Sequence, residues 1–328
     1  MSSLSPRRLV ATAAAALSLV LVVGCGSTSD TAAGNSETRT VKTEQGDVEV
    51  PTEVDSVVVL NYALAGFLYD LDVPVTATTP EHTEGKAEPS KFWKEEAEEA
   101  GTEFLPWNTD GFDLEAILEA DPDLIIAGGI GFPLKHATDA YEDLSDIAPT
   151  VVVSGKLETW QEQYSFIAKD VFDKKDVYDK AVADYQARSE EVKENITLPP
   201  GPVSFLMTTG DKTPYILIED MGLPKVMSTI GFETAPLFEE NDVEPYTAGG
   251  DSFEVSTENV GQILDSPTVF VMGFNMETFS AEDLKKEPVY SQLPAFEEDN
   301  VYDLPYWVMR GDYDEAMELL NIIEKEFS

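Results

Sequence analysis

Short apolar runs alternate with helix-like stretches through the first half of the chain. The runs lie at Ser56–Leu60, Asp123–Ala127 and Thr150–Val153, and turn residues bound each of them. Helix-like stretches lie between or around them at 61–71, 91–100, 114–120 and 134–147. Buried strands that alternate with helices predict a parallel α/β sheet. Ahead of it, Val41–Val50 alternates around a glycine, which predicts a hairpin.

The middle of the chain has a different period. Between Glu158 and Ile196, apolar side chains recur at roughly helical spacing over about ten turns. This predicts one long helix, kinked near Asp173–Asp176, that ends at Pro199 and Pro200. The α/β pattern then restarts, with strands at Val203–Thr208, Tyr215–Ile218 and Thr268–Met272 and helices at 223–230, 256–264 and 312–327. We therefore expect an α/β protein of two Rossmann-like lobes joined by one long helix, with a ligand cleft between the lobes.

The N-terminus has the pattern of an export signal. Arg7 and Arg8 precede an apolar and small-residue run from Leu9 to Gly24, and the only cysteine of the chain follows. The run Val22-Val23-Gly24-Cys25 resembles a lipobox, and the apolar run is shorter than the ~20 residues that a membrane span needs. This predicts acylation of Cys25 and attachment to the extracytoplasmic face of the cell membrane.

These patterns divide the chain into five predicted segments. We expect a signal peptide at 1–24, a lipid-anchored flexible tether rich in Gly, Ser and Thr at 25–40, an N-terminal α/β lobe at 41–157, the interlobe helix at 158–199 and a C-terminal α/β lobe at 200–328. With a single thiol, the domain has no internal disulfide and depends on its core for stability.

The composition is strongly acidic. The chain has 63 Asp plus Glu against 21 Lys plus Arg, and removal of residues 1–24 changes the net charge from −42 to −44 because it removes two arginines. Such a surface repels nucleic acid and anionic headgroups. The remaining arginines are Arg39, Arg188 and Arg310, so a highly anionic ligand would find few cations.

The signatures of common enzymes are missing from the sequence. It contains no Walker phosphate loop, no Gly-x-Ser-x-Gly elbow and no paired cysteines. Gly128–Phe132 is a glycine-rich loop without the third glycine of a dinucleotide fingerprint, and such strand-end loops lie where α/β folds bind ligands. Only His82 and His136 could serve a zinc site or a triad. We predict that the chain is not an enzyme; an extracellular hydrolase and a surface interaction lipoprotein are the alternatives from other classes.

Several stretches together resemble one family, the periplasmic-binding-protein type of ABC-transporter receptors for ferric siderophores, cobalamin and heme. The similarity is closest to the ferric siderophore branch and covers about residues 38–327. The stretches that carry it are Val54–Asn61, Phe112–Ile126, Leu144–Val151, Val289–Phe296 and Asn300–Tyr302.

The resemblance implies a fold, partners and docking residues. Members are class III substrate-binding proteins, with two α/β lobes, a connecting helix that limits hinge motion and a ligand in the cleft. They deliver it to a membrane permease that works with an ATPase, and they dock through one acidic residue per lobe. By motif position these residues are Glu115 and Glu258 here.

A receptor for a ferric siderophore needs aromatic walls and a few polar donors. Candidates at strand-to-helix ends are Tyr62, Trp107, Phe132, Tyr215, Tyr246, Phe274, Trp307 and Arg310. The scarcity of cations favours a neutral or cationic ferric hydroxamate over a triply anionic catecholate, although Lys135, Lys156 or Lys212 could contribute charge. Iron would be bound only within the chelate, with no resident cofactor. Heme, with His136 or a tyrosine as axial ligand, and cobalamin remain alternatives.

Overall fold

The computed structural model describes residues 37–81 and 87–328. The predicted signal peptide, Cys25 and most of the predicted tether lie outside these residues. Within the described ranges, no helix is both long enough and apolar enough to cross a membrane.

A hairpin opens the folded domain, as the sequence predicts. Strand β1 (Thr38–Thr43) pairs antiparallel with β2 (Gly46–Pro51), and Gly46 has a φ of +120° at the turn. The side chains of Val41, Val48 and Val50 are buried. Strand β1 begins inside the segment 25–40 because Thr38 is already paired with Pro51, so the end of the predicted tether belongs to the domain.

The N-terminal lobe has a five-stranded parallel sheet. Its strands are β3 (Val57–Val59), β4 (Val75–Thr78), β5 (Glu103–Phe104), β8 (Leu124–Gly128) and β9 (Thr150–Val153), in the order β5-β4-β3-β8-β9. The short strands β6 (Trp107–Asn108) and β7 (Gly111–Phe112) form a separate antiparallel pair. All three predicted strands of this half are present, whereas β4 and β5 were not predicted.

Helices cover this sheet. They are α1 (Tyr62–Asp70), α2 (Lys94–Ala100), α3 (Leu114–Glu119), α4 (Phe132–Asp139) and α5 (Tyr141–Ile147). The stretch predicted as one helix at 134–147 is two helices, because Ala140 leaves helical geometry between them. Asn61 caps α1 by accepting the Ala63 N–H at 3.1 Å, and its side-chain amide donates to the Gly128 carbonyl at 2.7 Å. These two bonds fix the start of α1 against the end of β8.

The interlobe segment differs from the predicted single helix at 158–199. It consists of α6 (Trp160–Ser165), a π-helical stretch at Phe166–Val171 and α7 (Lys175–Asn195), with Asp173 at a φ of 55° between them. Arg39 of β1 donates to the Val171 carbonyl at 2.7 Å, and Lys174 donates to the Leu71 carbonyl. Arg39 therefore satisfies a backbone carbonyl at the break, and Lys174 ties the break to the N-terminal lobe. The break lies where the kink was predicted.

The C-terminal lobe has a mixed five-stranded sheet. Its strands are β10 (Val203–Thr208), β11 (Pro214–Leu217), β12 (Ser252–Glu254), β13 (Thr268–Gly273) and β14 (Val301–Asp303), in the order β12-β11-β10-β13-β14. Strands β10, β13 and β14 run parallel to one another. Strand β11 pairs antiparallel with both of its neighbours, β10 and β12. The three predicted strands are present, and β12 and β14 were not predicted.

Mostly short helices surround the second sheet. They are α8 (Gly222–Ser228), α9 (Leu237–Glu240), α10 (Val260–Ile263), α11 (Ala281–Leu284), α12 (Pro288–Ser291), α13 (Pro294–Glu297) and α14 (Tyr313–Phe327), with a 3₁₀ turn at Tyr306–Arg310. Helix α14 begins with a capping box in which Asp312 and Glu315 bond each other's backbone N–H.

One buried apolar cluster runs through both lobes. It includes Leu68 of α1, Tyr164 of α6, Tyr185 of α7, Phe205 of β10 and Leu320 of α14. The outer face of each sheet has its own smaller cluster. The lobes are thus joined by continuous packing as well as by the chain, and this packing sets the orientation of the strand ends that form the cleft.

Candidate ligand-binding cleft

A cleft lies where strand ends of the two lobes face each other, which is the usual position for ligands in open α/β sheets. The N-terminal lobe contributes residues after β3, β4 and β8, and the C-terminal lobe contributes residues after β13 and β14. The empty volume of the cleft, including its open mouth, is about 690 Å³. Seven of the eight predicted ligand-binding residues line it: Tyr62, Trp107, Phe132, Tyr246, Phe274, Trp307 and Arg310.

Aromatic side chains form a wall that crosses from one lobe to the other. The ring centroid of Tyr246 lies 5.6 Å from that of Phe132 and 5.6 Å from that of Phe274. Tyr215 does not line the cleft. It supports the wall from behind, 5.4 Å from Phe274, and its hydroxyl donates to Glu254 at 3.2 Å.

A second aromatic group occupies the side of the cleft formed by α1 and the 3₁₀ turn. Tyr62 lies 5.1 Å from Trp93, and Trp307 lies 4.9 Å from Phe92. The indole N–H of Trp107 donates to the Pro80 carbonyl at 2.9 Å, which fixes the orientation of that ring. Trp93 also lines the cleft and was not predicted, because it lies inside a helix-like stretch of the sequence.

Arg310 is the arginine of the cleft, but its charge is already neutralised. Its Nε and one terminal nitrogen donate to both oxygens of Asp251 at 2.8 Å, and the same terminal nitrogen donates to the Tyr246 hydroxyl at 2.9 Å. The partner of Arg310 is therefore Asp251. Burial alone would lower the pKa of Arg310, but Asp251 and Tyr246 more than offset this effect, so the guanidinium stays charged.

The two lobes touch at the glycine-rich loop. The Gly131 N–H donates to the Gly249 carbonyl of the opposite lobe at 3.0 Å. Gly131 has a φ of +75°, and a Cβ there would lie 2.0 Å from the Tyr246 hydroxyl. Glycine is required at this position because both the backbone conformation and the close approach exclude a side chain.

Carboxylates rather than cations dominate the polar lining. Glu81, Asp312 and Glu315 all line the cleft. Burial raises the pKa of Glu81 to about 8 and that of Asp312 to about 7. Burial, followed by the charge of Asp312, raises the pKa of Glu315 well above its usual range. The capping box at Asp312 and Glu315 can be read from the sequence, but nothing local points to Glu81 as a cleft residue.

Residues 57–306 match the model of the periplasmic binding protein family, which is most of the chain. The chain belongs to this family. A curated relative of this binding protein is the ferric enterobactin-binding periplasmic protein FepB of Escherichia coli, 24% identical over 297 residues that cover 88% of this chain and 91% of the relative.

Solved structures share the fold of this binding protein. Holo-ViuP has a TM-score of 0.74 at 20% identity and covers 88% of this chain and 95% of its own. Staphylococcus aureus SirA complexed with staphyloferrin B has a TM-score of 0.68 at 15% identity, with 89% and 99% coverage. FeuA of Bacillus subtilis, the triscatecholate siderophore binding protein complexed with ferri-bacillibactin, has a TM-score of 0.66 at 19% identity, with 88% and 97% coverage. These matches confirm the family resemblance and the two-lobed class III fold.

The histidine considered for heme lies behind the aromatic wall of this binding protein. His136 is buried, and its ring is stacked on Phe132 with 5.8 Å between the centroids. It lines neither the cleft nor the cavity that adjoins it. Burial lowers the pKa of His136, and its Nε2 has no hydrogen-bond partner among the residues that the structure describes. An axial ligand at this position would require Phe132 to move. His82 lies outside the described residues.

The three candidate lysines do not line the cleft. Lys135 pairs with Asp139, Lys156 with Glu44, and Lys212 with Glu287. In the described part of the chain, no group of three or more His, Cys, Asp or Glu residues is arranged to hold a metal ion.

The two predicted docking residues are exposed and outside the cleft. Glu115 lies in the first turn of α3, and Leu118, one turn later, is 60% exposed. Glu258 lies in the turn that precedes α10. Neither carboxylate has an ion-pair partner among the described residues.

Replacement of Arg310 by Met should leave Asp251, whose side chain is 2% exposed, as an uncompensated buried charge. We expect the free energy of unfolding to fall by about 3–5 kcal/mol in urea titrations. The double variant Arg310→Met/Asp251→Asn should recover part of that loss. Lys180→Met, which removes an exposed pair with Asp184, should cost about 0.5 kcal/mol. A loss below about 1 kcal/mol in Arg310→Met would contradict this account.

A pH prediction follows from Asp70 of α1. Burial raises its pKa to about 8, with further repulsion from Asp312, Asp314 and Glu96. Because an unfolded aspartate titrates near 3.9, the folded protein binds the extra proton between about pH 4 and pH 8. Stability from this group is therefore present at acid pH and is lost as pH rises through about 8.

Asp70→Asn should reduce the fall in unfolding free energy between pH 5 and pH 8 by on the order of 1 kcal/mol. The matched control is Asp47→Asn, which removes an exposed carboxylate from the hairpin. Urea titrations at the two pH values measure the effect. Equal pH dependence in wild type and Asp70→Asn would show that Asp70 titrates normally.

Proposed function

We propose that this protein captures a ferric siderophore in the interlobe cleft and delivers it to an ABC permease and its ATPase, with a ferric hydroxamate as the favoured ligand. The family and the cleft support a binding role rather than an enzymatic one. The relatives, which include a ferric enterobactin-binding protein and a protein complexed with staphyloferrin B, support the siderophore class. Lipid attachment at Cys25 would hold the receptor beside its permease.

The observation that carries the choice of hydroxamate is that the described lining of the cleft offers no unpaired cation. Arg310 is neutralised by Asp251, and Glu81, Asp312 and Glu315 remain. A triply anionic catecholate chelate would lose its hydration beside these carboxylates without gaining an unpaired arginine. A neutral or cationic trihydroxamate avoids this cost, and the rings of Phe132, Tyr246 and Phe274 can pack on its apolar arms.

A binding panel tests this proposal on residues 38–328 purified without the anchor. We expect a ferric trihydroxamate to quench tryptophan emission with submicromolar affinity, which corresponds to more than about 8 kcal/mol. A triscatecholate chelate should bind at least a hundredfold more weakly. Tighter binding of the catecholate would overturn the choice of hydroxamate, and binding of heme or cobalamin alone would overturn the siderophore class.

The exposed acids Glu115 and Glu258 are proposed to pair with permease arginines, and Leu118 adds an apolar contact beside Glu115. Removal of an exposed carboxylate usually changes stability by no more than ~0.5 kcal/mol, so the variant Glu115→Ala/Glu258→Ala should fold and bind ligand normally. In the docked complex each loss should cost about 2–5 kcal/mol, because the arginine partner is left buried and unpaired.

The expected result is wild-type ligand affinity with loss of ligand uptake by cells. Asp47→Ala/Glu282→Ala, which removes an exposed acid of the hairpin and an exposed acid of α11, is the matched control and should transport normally. Wild-type uptake by the first variant would remove Glu115 and Glu258 from the docking surface. A loss of ligand affinity would instead place them at the ligand.

A further inference from the structure

One side of the cleft combines aromatic faces with carboxylates that form no ion pair among the described residues. We call it the acidic end and define it by Tyr62, Glu81, Tyr306, Trp307 and Glu315, all of which line the cleft. These groups are within electrostatic reach of one another, since the charges of Glu81 and Glu315 both add to the effect of burial in raising the pKa of Tyr62.

Glu315 is the deepest member of this group. It is 6% exposed, and it borders both the cleft and the adjoining cavity below Arg310. Its Oε2 accepts the Asp312 N–H at 3.1 Å, and its Oε1 accepts only a long bond of 3.3 Å from the Ser90 hydroxyl. A carboxylate has about four acceptor positions, so Glu315 retains accepting capacity toward the cleft.

In the described part of the chain, these acids have no cation in direct contact. Within residues 37–81 and 87–328, no lysine or arginine forms an ion pair with Glu81 or Glu315, and Arg310 is held by Asp251. Buried carboxylates without a cation are costly, and they gain most from a ligand that brings one.

The aromatic faces independently suit an ammonium group. The Nζ of Lys91 already lies 4.6 Å from the ring centroid of Trp307, in an adjoining pocket that Tyr62 and Glu81 also line. A cation over such a ring gains about 0.5–2 kcal/mol, with the larger values when it is desolvated. Tyr62 presents a second ring on the same side.

We propose that the acidic end binds a primary ammonium group on one arm of the siderophore, with Glu81 and Glu315 as hydrogen-bond acceptors and Tyr62 and Trp307 as the aromatic walls. This inference rests on the proposed siderophore function and specifies the ligand further. A primary ammonium has three donors and a compact charge, which match two carboxylates on one side of a narrow site.

The test compares two chelates that differ only in this group. One is the ferric complex of desferrioxamine B, a linear trihydroxamate that ends in a primary amine, and the other is the same complex with that amine acetylated. Titrations are run at pH 8.5, which is above the pKa of about 8 of Glu81 and below the pKa of about 10.4 of a primary amine, so the ligand stays charged. We expect the wild type to bind the amine-bearing chelate at least tenfold more tightly.

Glu81→Gln and Glu315→Gln should each reduce this preference to less than threefold and leave affinity for the acetylated chelate within a factor of two. Glutamine keeps the size of both side chains and can still serve the capping box, and thermal melting verifies folding. Glu119→Gln is the control and should keep the full preference.

The outcomes separate the two proposals. Equal wild-type affinity for the two chelates overturns the ammonium site and leaves the hydroxamate receptor in place. Failure to bind either chelate overturns both the ammonium site and the hydroxamate receptor. A tenfold preference that survives in Glu81→Gln and in Glu315→Gln places the ammonium elsewhere and also overturns the assignment.

Discussion

The buried ion pair between Arg310 and Asp251 organises the cleft. A guanidinium inside a protein is tolerated only with a well-placed carboxylate, and both oxygens of Asp251 meet it at 2.8 Å. The pair ties the 3₁₀ turn after β14 to the loop before β12 and positions the Tyr246 hydroxyl. Because Tyr246 contacts both Phe132 and Gly131, the meeting point of the lobes depends on the same pair.

This pair also decides the electrostatic character of the site. Had Arg310 been unpaired, the cleft would offer a cation to an anionic chelate. With Asp251 in place, the described lining has no unpaired cation, and burial holds the pKa values of Glu81, Asp312 and Glu315 high. These three acids therefore favour the neutral form until a cation reaches them.

Much of the fold could be predicted from the sequence, because its buried strands are continuous apolar runs such as Val203–Thr208. Short strands such as β5 and β14 carry too few apolar residues to produce a pattern. The break at Asp173 is held by bonds from Arg39 to Val171 and from Lys174 to Leu71, which no local pattern reveals. Seven cleft residues, six aromatic and one arginine, could be predicted because the ends of parallel strands converge at one edge of each sheet. Asp251 and Glu81 could not, since in a chain with 63 acids nothing local distinguishes them.

The continuous apolar cluster that joins the lobes has a consequence for cooperativity. Two lobes connected only by chain would be able to melt separately, each at its own temperature. Here Tyr164 and Tyr185 of the interlobe segment pack in the same cluster as side chains of both sheets, so the loss of one lobe exposes the core of the other. The bilobed domain should therefore unfold as one thermodynamic unit, with a calorimetric enthalpy that matches the van't Hoff value.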